Sequence, residues 1–325
     1  MPAPSASLAT LRPDLATFLE FDLESEKNGY IASKVFPVVE VASQAGSFGK
    51  IPLEQLLQQR STNRSPGSGY SRGTYTFTSA AYACEEHGAE EPVDDRQAKM
   101  YREYFDAEQI ATMRAFSAVL RNAEIRMAAA VFNATTWTGS SLTTAITHEW
   151  DDATNAVPLT DVEAAVQKVY DNSGLWANAL IINRKVFRNL RNCAQVVDRI
   201  ESNGAGSPSK ASEITVQMLA QAFDLDHIIV AGTSKNSATE GQSATPAQIW
   251  SGEYAMVCRI STSQDMADPC IGRTFHWSED GSSVGGTVET YRDETVRGNI
   301  VRVRHDIDEF PLYTEAGHLL SNITT

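Results

Sequence analysis

Hydrophobic residues recur at helical spacing over residues 106–133, which is the strongest pattern in the chain. The stretch is rich in alanine, contains neither glycine nor proline, and has large apolar side chains at Ile110, Met113, Phe116, Leu120, Met127 and Val131. This spacing predicts a helix of about seven turns. Asp106 is a candidate N-cap, with Gln109 three positions later as in a capping box. We expect this helix to be a structural spine, with its apolar stripe in the core rather than around a cofactor.

The chain after residue 158 alternates between helical and strand patterns. Helical patterns and buried apolar runs predict helices at 160–170, 184–192 and 214–223, and strands at 178–183 and 226–231. Alternating units of this kind predict a compact α/β lobe. The intervening residues 201–212 and 233–245 are small and polar, which predicts mobile loops.

Residues 287–312 alternate between apolar and polar positions for long enough to make two long antiparallel strands. The turn between them is predicted around Arg297, Gly298 and Asn299. Such strands would pack against the rest of the protein and be exposed on one side.

A long polar stretch separates two other predicted strands. Residues 35–41 contain Pro37, which favours an edge position, and residues 74–83 alternate between hydroxyl and aromatic side chains. Between them the chain carries mostly Gly, Ser, Arg and Gln, with a short helix predicted at 53–58. Loops of this length are usually functional or disordered. We therefore predict a long two-stranded hairpin projecting from the body, preceded by an arm with a short helix at 13–23.

The chain is acidic, with 27 Lys and Arg against 41 Asp and Glu, a net charge of -14 and a pI near 4.9. A nucleic-acid reader normally displays a basic face, so the composition argues against that class. The chain has no apolar run of the roughly 20 residues that span a bilayer. Its first residues do not resemble a signal peptide, so we expect it to stay where it is made, or to leave without a leader.

The four cysteines, at 84, 193, 258 and 270, form no C-x-x-C pair and have no histidine at zinc-finger spacing. We expect reduced thiols, mostly buried, in a cytosolic protein.

Charge is unevenly distributed around the predicted hairpin. Residues 50–80 carry four basic side chains and one acidic one, whereas residues 81–95 carry six acidic side chains and no Lys or Arg. An ordinary solvated loop beside an acidic turn would look the same. The sharper hypothesis is a head-to-tail contact between identical copies, in which a basic tip docks on an acidic patch of the neighbour. The predicted tip residues are Arg60, Arg64, Tyr70 and Arg72, and the predicted patch residues are Glu85, Glu86, Glu90 and Glu91.

Several short motifs suggest chemistry, but none of them is complete. Gly69 to Gly73 match the G-x-S-x-G nucleophile elbow, which needs a strand before Ser71 and a helix after it; here a polar run precedes and a strand follows. His148 and Glu149 lack the second histidine of a zinc protease, and the six histidines are scattered singly. We expect no catalytic, cofactor-binding or metal site.

The order of these parts resembles the major capsid proteins of tailed bacteriophages, which have the Hong Kong ninety-seven type capsid fold. The residues that carry the resemblance are the arm, the long basic hairpin, the spine helix, and two segments: TDVEAAVQKVYDNSGLWANALIINRKVFRNLRNC and VETYRDETVRGNIVRVRHDIDEFPL. The resemblance implies an α+β fold over nearly the whole chain. Its parts would be the N-terminal arm at 1–34, the extended loop at 35–98, the peripheral domain with its spine helix at 99–158, the axial domain at 159–270, and peripheral return strands at 271–325.

This resemblance implies that hexamers and pentamers of the chain assemble into an icosahedral shell around double-stranded DNA. It implies portal, scaffolding and decoration proteins as partners, and no membrane. The chain departs from the family in two ways. Some members cross-link through a lysine of the extended loop, yet residues 51–98 contain no lysine. Some carry a large cleaved scaffold domain, yet only about thirty residues precede the first predicted strand, so we expect a separate scaffolding protein or prior cleavage.

Three alternatives stay open. An encapsulin-like nanocompartment shell would share the fold. A serine hydrolase using Ser71 belongs to another class, and so does a monomeric α+β binding protein.

Overall fold

A computed structural model of the chain describes residues 10–11, 29–50, 58–73, 78–101, 106–202, 213–239, 241–266, 268–278 and 283–324, with Pro52, Gln55, Thr76 and Gly281. The fold is α+β, as predicted. Its strands are β1 (Thr10–Leu11), β2 (Val38–Val41), β3 (Ala45–Lys50), β4 (Thr78–Ala83), β5 (Glu85–Asp94), β6 (Thr143–Ala145), β7 (Ala179–Asn183), β8 (His227–Ala231), β9 (Ser234–Asn236), β10 (Pro246–Gln248), β11 (Tyr254–Cys258), β12 (Gly272–Trp277), β13 (Thr287–Asp293), β14 (Gly298–Pro311) and β15 (Gly317–Ser321). Its helices are α1 (Ala32–Val35), α2 (Asp95–Tyr101), α3 (Ala107–Val131), α4 (Pro158–Ser173), α5 (Arg184–Leu190), α6 (Ala194–Ser202) and α7 (Val216–Phe223), with a 3₁₀ turn at Thr314–Ala316.

A six-stranded sheet among the described residues is built around the long strand β14. This strand pairs antiparallel with β13, β5 and β12. Strand β2 lies parallel to β12 at the edge, as Pro37 predicts, and β1 pairs with β13. The two long antiparallel strands predicted at 287–312 are therefore confirmed, although their turn lies at residues 294–297, just before the predicted centre. Strand β12 is not predicted.

Helix α3 is the predicted spine and packs across one face of this sheet. Asp106 caps it, because its Oδ1 accepts a hydrogen bond from the Glu108 amide at 3.0 Å. Ala111, Ala115 and Phe116 are buried against the sheet, beside β14 residues that include Val301 and Val303.

The apolar stripe predicted on the spine helix is wrong at its N-terminal end. Ile110 is 38% exposed and Met113 is 50% exposed. Ala111 and Ala115 face the sheet instead, because small side chains let the helix approach the strands closely. The larger neighbours are turned toward solvent.

The second sheet forms the predicted α/β lobe, with strand order β6-β15-β11-β7-β8. Helices α4 to α7 bury one of its faces, and the C-terminal half of α3 with residues 31–36 buries the other. The predicted helices and buried strands of the lobe are confirmed. Helix α6 and strands β6, β11 and β15 are not predicted. Since β6 and β15 lie outside 159–270, the sheet crosses the predicted boundaries of the axial domain.

Other predictions have mixed outcomes. The helix predicted at 13–23 lies outside the described residues, and so do most of the short helix at 53–58 and most of the loop at 201–212. The loop predicted at 233–245 contains part of the ribbon formed by β9 and β10. All four cysteines are buried and unbridged. None of the helices in the described part of the chain is long and apolar enough to cross a membrane.

Candidate functional site

A hairpin is present, but only its second strand is the predicted one: β4 pairs antiparallel with the unpredicted β3, from Ala45 opposite Ala83 to Lys50 opposite Thr78. The first strand predicted for it, at 35–41, lies instead in the six-stranded sheet as β2, with Val35 in helix α1. Aromatic rings join its base to the six-stranded sheet. The Phe275 ring centroid lies 4.8 Å from that of Tyr82, which it stacks on, and 5.3 Å from that of Phe48. Phe310 adds an edge-on contact at 5.8 Å from Phe48. Offset and edge-to-face aromatic pairs of this kind fix orientation as well as burying area. The hairpin therefore leaves the body at a defined angle.

Polar contacts strengthen the same junction. The Lys50 ammonium donates to the main-chain carbonyl of Leu312 and lies 4.3 Å from the Tyr313 ring centroid. Burial lowers the pKa of Lys50, opposed by the charge of Glu315. The Ala83 amide donates to Asp308 Oδ2 at 3.0 Å. Burial raises the pKa of the Asp308 carboxyl, although this hydrogen bond opposes the rise. The sequence analysis did not predict this junction. Its aromatic residues lie on four strands that are far apart in the sequence, and two of these strands, β3 and β12, were not predicted.

The tip of the hairpin is exposed and is ordered by local contacts. A turn at residues 65–68 closes with a hydrogen bond from the Ser68 amide to the Ser65 carbonyl at 3.1 Å, with Gly67 at φ +84. A proline followed by a glycine at positive φ is the signature of a type II turn. Arg64 Nε donates to the Ser68 carbonyl at 2.6 Å, and its guanidinium lies 4.9 Å from the Tyr70 ring centroid.

The four predicted tip residues thus differ in their surroundings. Arg64 and Tyr70 lie together, and Tyr70 is 72% exposed. Arg72 is also exposed, whereas Arg60 is half-buried and lies against Gly73. The tip offers cationic side chains beside an exposed aromatic ring, which suits an acidic or aromatic partner surface.

The predicted acidic residues all lie on β5, but on two faces of the sheet. This strand pairs only with β14 among the described residues, so its outer edge is free. Side chains alternate along a strand, so Glu86 and Glu90 share one face and Glu85 and Glu91 the other. The four residues therefore do not form one patch, although residues 85–94 belong to the sheet rather than to a loop.

Two of these carboxylates already have partners within the chain. Glu90 pairs with Arg302 at 2.6 Å and accepts from the Tyr291 hydroxyl at 3.1 Å. Glu91 pairs with Arg114 at 3.5 Å. Glu85 and Glu86 are exposed and form no ion pair with any described residue. They are the carboxylates that remain available to another molecule.

Ser71 lacks the setting of a catalytic nucleophile. It is exposed within residues 58–73, which contain no strand or helix, so the strand–turn–helix of an elbow does not occur there. No histidine or carboxylate of the described residues hydrogen-bonds to it. Among all the residues that the structure describes, no group of three or more His, Cys, Asp or Glu side chains could hold a metal ion.

Two histidines that are far apart in the sequence lie close together in the fold. The His87 and His305 rings lie 6.0 Å apart, centroid to centroid, between β5 and β14. Both face the spine helix rather than a cleft, so they act in packing.

Solved structures resemble the chain over nearly its whole length. A phage-related protein from Bordetella bronchiseptica RB50 matches with a TM-score of 0.67 at 20% identity, covering 97% of this chain and 98% of that one. The capsid of the cyanophage P-SCSP1u matches with a TM-score of 0.58 at 12% identity, over 88% and 86% of the two chains. This chain has the capsid fold. A putative prophage capsid protein from E. coli CFT073 has the same fold, with a TM-score of 0.53 at 14% identity over 96% and 99% of the chains.

The capsid fold also occurs in the virus-like particle from Pyrococcus furiosus, which matches with a TM-score of 0.56 at 15% identity over 95% and 98% of the chains. No protein-family model and no curated protein sequence matches the chain. The likeness therefore lies in the arrangement of the parts rather than in shared sequence, as the resemblance drawn from the hairpin, spine helix and lobe predicts.

Proposed function

We propose that the chain is the major capsid protein of a tailed bacteriophage. It self-assembles as hexamers and pentamers into an icosahedral shell that encloses packaged double-stranded DNA. One observation carries the proposal: the fold of a putative prophage capsid protein covers 96% of the chain, including a hairpin whose tip is exposed. Such a hairpin has no purpose in an isolated monomer, whereas it adds contact area between neighbours in a shell.

A shell subunit needs several modest contacts rather than one tight contact. Linked interfaces then reinforce one another, while a wrongly placed subunit can still dissociate. Polar tips such as this one set register more than affinity, since exposed ion pairs contribute only about 0–1 kcal/mol each.

The proposed contact joins the tip of one copy to the β5 edge of the next. Arg64 and Arg72 supply the charge of the tip, and Glu85 and Glu86 supply the unpaired carboxylates. Arg64→Glu with Arg72→Glu should reduce the yield of shells, and Glu85→Lys with Glu86→Lys in the same chain should restore it. Arg199→Glu, at an exposed position on α6, is the matched control and should assemble normally. Shells of normal yield from the double tip variant would exclude this contact.

The proposed partners follow from the proposed role as a major capsid protein. The chain would meet a portal protein, a scaffolding protein and decoration proteins, and would reside in the virion after assembly in the host cytoplasm. Its net charge of -14 suits a container that encloses DNA without sequence-specific binding.

The contents of purified particles test the phage role against an encapsulin-like nanocompartment. We expect particles from a producing host to hold nuclease-protected double-stranded DNA of genome length. Particles holding a single cargo protein and no DNA would establish the alternative.

The proposed role is structural rather than enzymatic. A fluorophosphonate probe should therefore leave Ser71 unlabelled, because the hydroxyl has no base beside it in the described residues. Stoichiometric labelling at Ser71 would support a serine hydrolase instead.

A further inference from the structure

A buried carboxylate joins three distant parts of the chain. Glu124 lies in the middle of α3 and is 1% exposed. It accepts hydrogen bonds from the Ile31 amide at 3.0 Å, the Ala32 amide at 3.0 Å, and the Trp250 indole Nε1 at 2.6 Å. The donors lie 93, 92 and 126 residues away in the sequence.

These bonds complete the start of helix α1. The first amides of a helix need an outside acceptor, which is usually the side chain of the N-cap residue. Ile31 occupies the N-cap of α1 and has no side-chain acceptor. The Glu124 carboxylate supplies this acceptor from the spine helix, and its negative charge suits a helix N-terminus.

Burying a carboxylate here costs desolvation free energy, which an apolar residue would not lose. Burial raises the pKa of Glu124, and the three hydrogen bonds oppose that rise. A leucine of similar size would fill the volume but would leave two main-chain amides and an indole N–H without an acceptor. A buried charged group that satisfies several donors can fix one arrangement of the parts around it.

We propose that Glu124 is a positioning residue that fixes residues 29–36 against the spine helix and couples this segment to the α/β lobe. Trp250 provides the link to the lobe, since its ring packs edge-on against Phe132 with centroids 4.9 Å apart and both lie in the core beneath the lobe sheet.

A second contact holds the same segment. The Gly232 amide donates to the Gly29 carbonyl at 3.2 Å, just after β8. Gly29 has φ +66, and a Cβ there would lie 2.7 Å from Gly232 Cα, so only glycine fits. Residues 29–32 are thus held between a backbone contact with the lobe and a carboxylate on the spine helix.

Hydrogen–deuterium exchange of the unassembled full-length chain tests this role, so that its failure would leave the proposed shell function untouched. Glu124→Gln should make residues 29–36 exchange roughly 2- to 30-fold faster, the range expected for loss of a helix cap. Exchange in α5, on the far side of the lobe, should not change. Glu163→Gln, the same substitution at an exposed site on α4, should leave both segments unchanged.

A milder variant covers the case in which Glu124→Gln does not fold. Trp250→Phe keeps the ring against Phe132 and removes only the indole N–H, so residues 29–36 should exchange faster than in the wild type, but less so than after loss of the carboxylate. Unchanged exchange at 29–36 in either variant would overturn the role. Equal acceleration across the whole chain would also overturn it, because the carboxylate would then only stabilise the fold.

Discussion

At the residue scale, a buried histidine and a partly buried one lie on the face of the sheet that packs against the spine helix. His305 on β14 is 1% exposed, and its Nδ1 lies 3.2 Å from the Val284 carbonyl oxygen. Burial lowers the pKa of His305 to about 4, and the positive charge of Arg126 on the spine helix acts in the same direction. Burial likewise lowers the pKa of His87. Neither imidazole can take up a proton in the folded chain without destabilising this contact.

The free energy of unfolding should therefore fall as the pH falls from about 6.5 toward 4. The unfolded chain binds a proton at the ordinary histidine pKa of about 6.5, while folded His305 does not, so acid favours unfolding. For His305 alone the loss amounts to up to about 3 kcal/mol by pH 4. Urea denaturation at pH 7.5, 5.5 and 4.5 measures it, and His305→Gln should have a shallower dependence on pH. Parallel curves for the variant and the wild type would contradict this assignment.

At the element scale, the hairpin depends on the aromatic cluster at its base. Phe275 is 2% exposed and contacts Phe48, Tyr82 and Phe310. Phe275→Ala should lower the free energy of unfolding by about 3–5 kcal/mol and loosen the hairpin, since it leaves a cavity at the junction. Tyr70→Ala, which changes only the tip, is the control and should leave stability within about 0.5 kcal/mol. Denaturant titration compares the two variants, and equal stabilities would refute the role of the cluster.

The tip of the hairpin should serve assembly and not folding. Deletion of residues 58–72 removes exposed side chains with mostly local contacts, so the body should fold with wild-type circular dichroism. Stable shells should not form, because the contact across the neighbour is lost. Electron microscopy of the deletion variant measures this, and shells of normal number and size would show that the tip is dispensable.

Elements with a long, regular pattern could be predicted from the sequence, and short or non-local ones could not. The spine helix, the strands flanking residues 294–297 and three of the four lobe helices, α4, α5 and α7, carry enough periodic residues to be recognised. Strands β6 and β15 are short, and each needs a partner distant in the sequence: β15 pairs parallel with β6, from Leu319 opposite Thr143. The split of the β5 carboxylates between two faces follows from the strand conformation of residues 85–94, which pair with the distant β14 and were not predicted to be a strand.

On the spine helix, the largest apolar residues gave a wrong prediction of the buried face. Ile110 and Met113 mark a helical stripe, yet the buried face is set by Ala111 and Ala115. A stripe of large side chains predicts that a helix exists more reliably than which face it buries. The face depends on how closely the partner sheet can approach.

At the scale of the whole molecule, two sheets share one spine helix. The N-terminal half of α3 packs on the six-stranded sheet, and its C-terminal half packs beneath the lobe sheet. Glu124 lies between the two halves and binds the segment that precedes α1. The packing is thus continuous from the hairpin base to the lobe, while the hairpin tip is exposed.

Mature particles should contain no covalent links through the hairpin. Residues 51–98 have no lysine, and the Lys50 ammonium is bound at the hairpin base. Denaturing gel electrophoresis of purified particles should therefore give a single band near 35.5 kDa. Ladders of covalent multimers that survive boiling and reduction would show that another residue cross-links the subunits.

Electron microscopy of negatively stained protein, expressed alone and together with its neighbouring genes, tests the central claim most directly. A self-assembling shell protein should give closed polyhedral particles, or rings of five and six subunits, in at least one of these preparations. A uniform monomer of 35.5 kDa under every condition would contradict the account, even though the chain would keep the capsid fold.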